Sequence, residues 1–212
     1  MSSTDSRVLA ESIRLKRAYE APEAGDGVRV LVDRIWPRGV SKAAAALDAW
    51  MAELGPSDEL RMWFGHQPDR WHGFAEKYCG ELATPLRQML LAALQGVADR
   101  STLTLVYVAR DTKENEAVVL RQYLIQKQAQ PAAGWDAPTK LLATIAVVAA
   151  AHHDGVAPAS GVQLLAAPLL TSDEIAEARS VLMANSQVLA VPGGWKLAAR
   201  AQRQVRQLAE RR

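Results

Sequence analysis

The stretch "VDRIWPRGV" at 32–40 sets Asp33, Arg34 and Arg38 around a Trp36-Pro37 pair, directly after the apolar run "VRVL". Loops that only turn the chain are built from Gly, Pro, Asn, Asp and Ser, so two guanidinium groups and a carboxylate at a strand exit point to a group being held. A second exit repeats the chemistry: "VYVARDTKEN" at 106–115 closes an apolar run with Arg110 and Asp111, followed by Thr112 and Asn115. Guanidinium forks match phosphate and carboxylate oxygens in pairs, so Arg34, Arg38 and Arg110, joined by Arg61, are candidate anion contacts. Thr112 and Asn115 would add neutral hydrogen bonds, Trp36, Trp63 and Phe64 an aromatic wall, and Gly39 a close backbone approach or a positive φ. If a reaction is catalysed, Asp33 or Asp111 is the candidate general acid or base.

A purely structural alternative uses the same residues: Asp33 paired with Arg110, and Arg34 with Asp111, as ion pairs that fix loop geometry and add little net stability. Helical spacing likewise reads Trp63, Trp71, Phe74 and Tyr78 as core before it reads them as a ligand wall. Other chemistries find little support. His66 and His72 are six apart, which is neither the helical i, i+4 ligand spacing nor a finger pattern, and no metal site is expected. Cys79 stands alone, which excludes an intramolecular disulfide and a cysteine-built cluster. There is no Gly-rich phosphate loop and no Ser elbow, and no cofactor is indicated.

These exits need a sheet to carry them. "IRLKRAY" at 13–19 alternates as a half-buried strand does, "VRVLVDRIW" reads as a more buried one, and "STLTLVYVARD" at 101–111 as the clearest strand of the chain. Between them the spacing predicts helices: 41–54 with Ser41 as cap and Leu47, Trp50, Met51 and Leu54 on one face, a short one from Ser57, another around Trp71–Tyr78, and one over 84–95. "TKENEAVVLRQYLIQ" at 112–126 reads as a capped amphipathic helix. Strand, helices, strand, helix is the order of an α/β fold with helices on a small, mostly parallel sheet. If the two exits are neighbouring and parallel, their loops share the crevice beyond the strand carboxyl ends where ligands of open α/β sheets bind.

The pattern changes near residue 130. "QKQAQPAAGWDAP" at 126–138 is polar, without periodicity, and reads as a linker between an α/β domain over 1–125 and a mainly helical one over 139–212. In the latter, helices at 139–153, 159–166 and 172–185 precede a hairpin at 188–198 turning at Gly193-Gly194, the order of a winged helix. Asp173, Glu174 and Glu177 lie on the helix that would read a groove, while Lys196, Arg200, Arg203, Arg206, Arg211 and Arg212 gather at the end, so DNA contact would fall to this tail. The 212 residues balance 25 Lys and Arg against 23 Asp and Glu, so the chain as a whole is no polyelectrolyte. "MSSTDSRVLAESIR" contains no apolar leader core, and "LLATIAVVAAA" is far shorter than a span of ~20 residues. We therefore expect a cytoplasmic chain without a membrane segment.

The segments "IRLKRAYE" at 13–20, "VLVDRIWPRGVSK" at 30–42, "LRMWFGHQPDRWHGF" at 60–74 and "LVYVARDTKENEAVVL" at 105–120 resemble, in order and spacing, the bacterial domain of unknown function 488 family, the YeaO-like proteins. The resemblance covers roughly the first 125 residues and implies a compact α/β domain; it carries no reaction with it. Glu116 stands where the family often shows His or another polar residue. Two functions remain open: a domain binding a small phosphate- or nucleotide-like anion with an attached winged-helix-like sensor or regulator module, or a small hydrolase or transferase of an anionic substrate using an Asp as acid or base. A third reading leaves the polar cluster structural, with function at protein–protein surfaces.

Overall fold

The computed structural model describes residues 9–127, 129 and 135–210. Strands Ile13–Arg17 (β1), Val28–Leu31 (β2), Ala49–Trp50 (β3) and Leu103–Tyr107 (β4) form one sheet in the order β1-β4-β2-β3, with every neighbour parallel. The expected α/β class, with a small parallel sheet, is the observed one. β2 and β4 are buried along their whole length, so apolar residues fall on both of their faces, with Arg29 and Thr104 as the buried polar exceptions. Alternation still assigns faces: Val30, Val32, Leu103 and Leu105 enter the main core, whereas Leu31 and Val106 enter a smaller cluster with Ala45, Leu47 and Trp36 on the opposite face.

The connections are helical. Lys42–Ala45 (α1) leads to β3; Asp58–Phe64 (α2), Trp71–Glu81 (α3) and Pro85–Ala98 (α4) lead to β4; Glu116–Gln126 (α5) follows it. Ser57 Oγ accepts the Leu60 N–H and Asn115 Oδ1 accepts those of Ala117 and Val118, two side-chain caps legible in the residue types. The helix expected over 41–54 is corrected. Ser41 does cap it, but it ends at Ala45, Ala46 turns left-handed at φ 45°, and Ala49–Trp50 pairs with Val30 and Leu31. The cause is Arg29, a buried charge in β2. Its guanidinium binds the Asp26 carboxylate and collects the carbonyls of Ala45 and Ala46, while its backbone N–H donates to Asp48 Oδ2. Lys16 closes the same network on Asp26 at 3.0 Å. Burial works against the Asp26 charge, but the Glu23 amide, Lys16 and Arg29 outweigh it and hold the carboxyl below its ordinary range. This is where the chain spends a buried ion pair, so breaking one partner leaves a charge stranded.

Of the expected linker, residues 128 and 130–134 lie outside the described residues. Beyond it come Ala137–Ala151 (α6), Val156–Pro158 (β5), Ala159–Ala166 (α7), Ser172–Ala184 (α8), the hairpin Val188–Val191 (β6) and Gly194–Leu197 (β7), and Ala199–Glu210 (α9). The strands form an antiparallel sheet in the order β5-β7-β6. α6 is its hub: it packs on α7, α8, β5 and β7, and also on β3 of the parallel sheet. Leu141, Ile145 and Val148 accordingly belong to one continuous core with Val30 and Leu105. Lys42 extends from α1 to donate to the carbonyls of Ala150 and His152 at 2.6 and 2.9 Å, satisfying the end of α6. Among the described residues, no helix is long and apolar enough to cross a membrane.

Candidate functional site

The two acid-plus-arginine exits do lie side by side. Leu31 pairs with Val106 in the parallel register, and the Val32 N–H donates to the Val106 carbonyl at 3.0 Å. At the next step a side chain replaces backbone: Asp33 Oδ2 accepts the Val108 N–H at 2.6 Å. Trp50 Nε1 donates to the Asp33 carbonyl at 2.8 Å, so the unexpected strand β3 anchors this exit from its other side.

The loop after β4 brings a second carboxyl to the same point. Asp111 Oδ1 accepts the N–H groups of Lys113 and Glu114, and Asn115 Nδ2 donates to the Asp111 carbonyl at 2.8 Å. This places Glu116, the first residue of α5, against Asp33. Glu116 is 8% exposed, and its Oε1 is buried with no N–H or hydroxyl donor among the described residues. Burial, then the Asp33 charge beside it, pushes Glu116 well above the ordinary glutamate range. Asp33 is also raised by burial, a shift opposed by its hydrogen bond with Glu116, by the Val108 N–H, and by Arg61 and His66.

Two causes act together on this pair: like charges near a protein surface repel, and burying a second ion costs more again. Glu116 therefore holds its proton more tightly than an ordinary glutamate does, while Asp33, which accepts the Val108 N–H, is the partner better able to carry a charge.

A cleft of about 410 Å³ opens over this pair, with Arg38, Arg61, His66 and Trp36 in its lining. Tyr19, Ile35 and Met62, all more than half exposed, form an apolar rim. A wider cleft of about 850 Å³ adjoins it, sharing Tyr19, His66, Val108 and Ala109 and adding Arg17, Arg110 and Asp111.

The residues singled out in the sequence divide accordingly. Asp33, Trp36, Arg38 and Arg61 reach the inner cleft, and Arg110 and Asp111 the outer one. The expected pairings Asp33–Arg110 and Arg34–Asp111 do not form. Asp33 is taken by Val108 and Glu116, and Arg34 turns away to donate through Nε to the Pro56 carbonyl at 3.2 Å. Gly55 makes that turn possible, since a Cβ there would come within 2.6 Å of the Arg34 nitrogen. Gly39 has φ +80° and open space where a Cβ would stand, so it serves the turn and not a close approach. Trp63 lies beside the cleft, its ring under the Arg70 guanidinium and the Lys77 ammonium, while Phe64 and Phe74 stack at 4.4 Å at the cleft wall. Thr112 is exposed and lines neither cleft; Asn115 is buried as the cap of α5. Asp111 is held ionised, chiefly by the Glu114 and Lys113 amides, which disfavours a proton-transfer role for it.

Several lining residues were not among the predicted site residues, Tyr19, Ile35, Met62, His66 and Glu116 among them. His66 follows the α2 terminator Gly65 at φ +55°, and nothing in residue type announces this. Glu116 had a signal: an acid directly after a capping Asn, just past an Arg-Asp exit. Among the described residues, no group of three or more His, Cys, Asp or Glu is placed to hold a metal ion.

The raised carboxyl makes a checkable linkage. Between the ordinary glutamate range and its raised value, Glu116 holds a proton in the folded state that it lacks unfolded. Its contribution is therefore intact below the ordinary range and is lost as pH rises, by up to about 1.4 kcal/mol per pH unit. Glu116→Gln, which presents an amide N–H to Asp33 without needing a proton, should be more stable than the native chain at pH 8 and lose that advantage at pH 5. Urea denaturation of both proteins at the two pH values checks this; curves separated by the same amount at both would refute the raised carboxyl.

Comparison with known proteins follows the same segments. A family model described as "Inactive DUF488-N3 subclade" matches residues 12–139. The uncharacterized protein YeaO of Escherichia coli (strain K12) is 42% identical over 113 residues, 53% of this chain and 96% of that protein. An uncharacterized protein of Mycobacterium bovis and one of Mycobacterium tuberculosis are each 41% identical over 112 residues, 53% of this chain and 92% of theirs. No solved structure matches. Nearly the whole of each relative thus corresponds to about half of this chain, and the family model covers the residues that line the cleft. With its family model spanning more than half of its length, the chain belongs to the DUF488 family.

Proposed function

We propose that the chain is a binding protein whose inner cleft takes a small anionic ligand, phosphate- or nucleotide-like, and whose residues 139–212 are an attached winged-helix-like module, as in a sensor or regulator. The observation that carries the reading is the gathering of Arg38, Arg61 and His66 around one cleft at the carboxyl ends of two parallel strands, where α/β sheets bind ligands. Arg110 and Arg17 extend the basic lining into the adjoining cleft. The word "inactive" in the description of the matching subclade favours binding over turnover. The short relatives, matched over almost their full length, favour a division into an α/β domain over 1–125, a connection over 126–138 and a C-terminal unit that packs on the first through α6.

One observation favours the alternative, a hydrolase or transferase of an anionic substrate: a carboxyl with a displaced pKa stands in an open cleft, as proton transfer requires. In that reading Asp33 works with Glu116, and Asp111 has no part. Thermal-shift measurements with phosphate, pyrophosphate and common nucleotides test the binding reading. Stabilisation should grow with ligand concentration and vanish in Arg38→Ala, which keeps the fold. Asp33→Ala should lower the melting temperature even without ligand, because it strands the Val108 N–H and Glu116. Shifts no larger than with chloride would sink the anion reading.

For the C-terminal module, the element order α6-β5-α7-α8-β6-β7-α9, helices followed by a hairpin, supports the winged-helix reading. Its third helix exposes Asp173, Glu174 and Glu177, so nucleic acid would meet Lys196, Arg200, Arg203 and Arg206 instead, all exposed on β7 and α9. Duplex DNA binding by the full chain should then weaken steeply between about 50 and 200 mM salt through counterion release. Binding that is absent at the lower concentration, or insensitive to salt, would leave the module as a packing or partner-binding unit.

A further inference from the structure

The inner cleft has a polarity that the anion reading leaves out. Its cations, Arg38, Arg61 and His66, are exposed, and so stand toward solvent. Its floor is the Asp33–Glu116 pair, and the floor is rich in acceptors. Against two carboxyl groups the protein sets the Val108 N–H on Asp33 and the amide of Glu116 itself. Glu116 Oε1, buried in a residue more than nine-tenths covered, meets no N–H or hydroxyl donor among the described residues. A buried acceptor left without a donor costs about 1–3 kcal/mol. A ligand that supplies one recovers that energy, and a phosphate oxygen pressed onto this floor meets only acceptors and the charge on Asp33.

We propose that the floor takes a neutral hydrogen-bond donor, a hydroxyl group, so that the ligand is a hydroxylated anion: its hydroxyl end on Glu116 and Asp33, its phosphate at the mouth against Arg38 and Arg61. The rim fits this orientation. Tyr19, Ile35 and Met62 give the middle of such a ligand apolar walls, which inorganic phosphate has no carbon atoms to use. The inference rests on the binding reading above and adds the identity of the inner group.

Matched probes test it by calorimetry: ribose 5-phosphate and glycerol 3-phosphate against propyl phosphate, with inorganic phosphate and free ribose as controls. In the native chain the hydroxylated esters should bind about tenfold more tightly than propyl phosphate, the worth of one satisfied buried acceptor. Glu116→Leu should erase that advantage. Glu116→Gln should keep it, because the amide can donate to Asp33 and leave its oxygen as acceptor. Arg38→Ala should weaken all the esters by a common factor. Equal affinities with and without hydroxyls, or an advantage that survives in Glu116→Leu, would overturn the donor floor while leaving the anion reading in place. Glu116-dependent binding of free ribose with no gain from phosphate would uphold the floor and overturn the anion reading. No binding by any probe would overturn both.

Discussion

The hydrogen bond from the Val108 N–H to Asp33 Oδ2 is the contact on which the arrangement of this site depends. A parallel ladder ordinarily ends when its strands diverge, leaving backbone donors to water. Here a side-chain carboxylate takes the next donor in line, which keeps the two exits together one step beyond the sheet and fixes an anion at their junction. Everything arriving later has to accommodate that charge. Glu116, carried in by the turn around Asp111 and the cap at Asn115, is the group whose proton is held more tightly, because burial and the Asp33 charge both oppose its ionisation. The floor of the cleft is thus a pair of carboxyl groups of unequal proton affinity.

A second constraint lies on the same strand. Arg29 is buried in β2 and ties down Asp26 on one side and the end of α1 on the other. The left-handed turn at Ala46 follows, then the short strand β3, and Trp50 reaches Asp33 from there. The family segment also supplies the dock for the C-terminal part: α6 lies on β3, and Lys42 of α1 closes its carboxyl end. The cleft and α6 are therefore joined structurally through one short stretch, residues 42–50, flanked by Trp36, which meets Trp50 edge-on at 5.3 Å. A sensor reading would use this stretch to pass a change from one part to the other.

Much of the fold was legible because it rests on local rules. Apolar-rich runs marked β2 and β4 as strands, and Ser57 announced its helix, whereas Asn115, read as a ligand contact, proved to be the cap of α5. The stretch 41–54 was misread because Leu47, Trp50, Met51 and Leu54 satisfy helical spacing, while the residue that overrules it, Arg29, is a distant buried charge. The site was half legible for a similar reason. Residue types located both exits, and the parallel pairing brought them together as expected. They did not reveal that Asp33 would be claimed by a backbone N–H, which removes the symmetrical exchange of ion pairs with Arg110 and Arg34. Glu116 was hidden by its ordinary appearance: an acid in the first turn of a helix is favoured by the helix dipole alone.

The proton on Glu116 can be observed directly. Infrared difference spectra of the native chain and Glu116→Gln at pH 7 report whether a protonated carboxyl is present in the native protein. The account predicts a protonated carbonyl stretch in the native chain that disappears in Glu116→Gln and that titrates away at lower pH in Asp33→Asn, where the neighbouring charge is gone but the burial that is the larger cause of the raised Glu116 remains. A native spectrum containing only ionised carboxylate bands at pH 7 would contradict it.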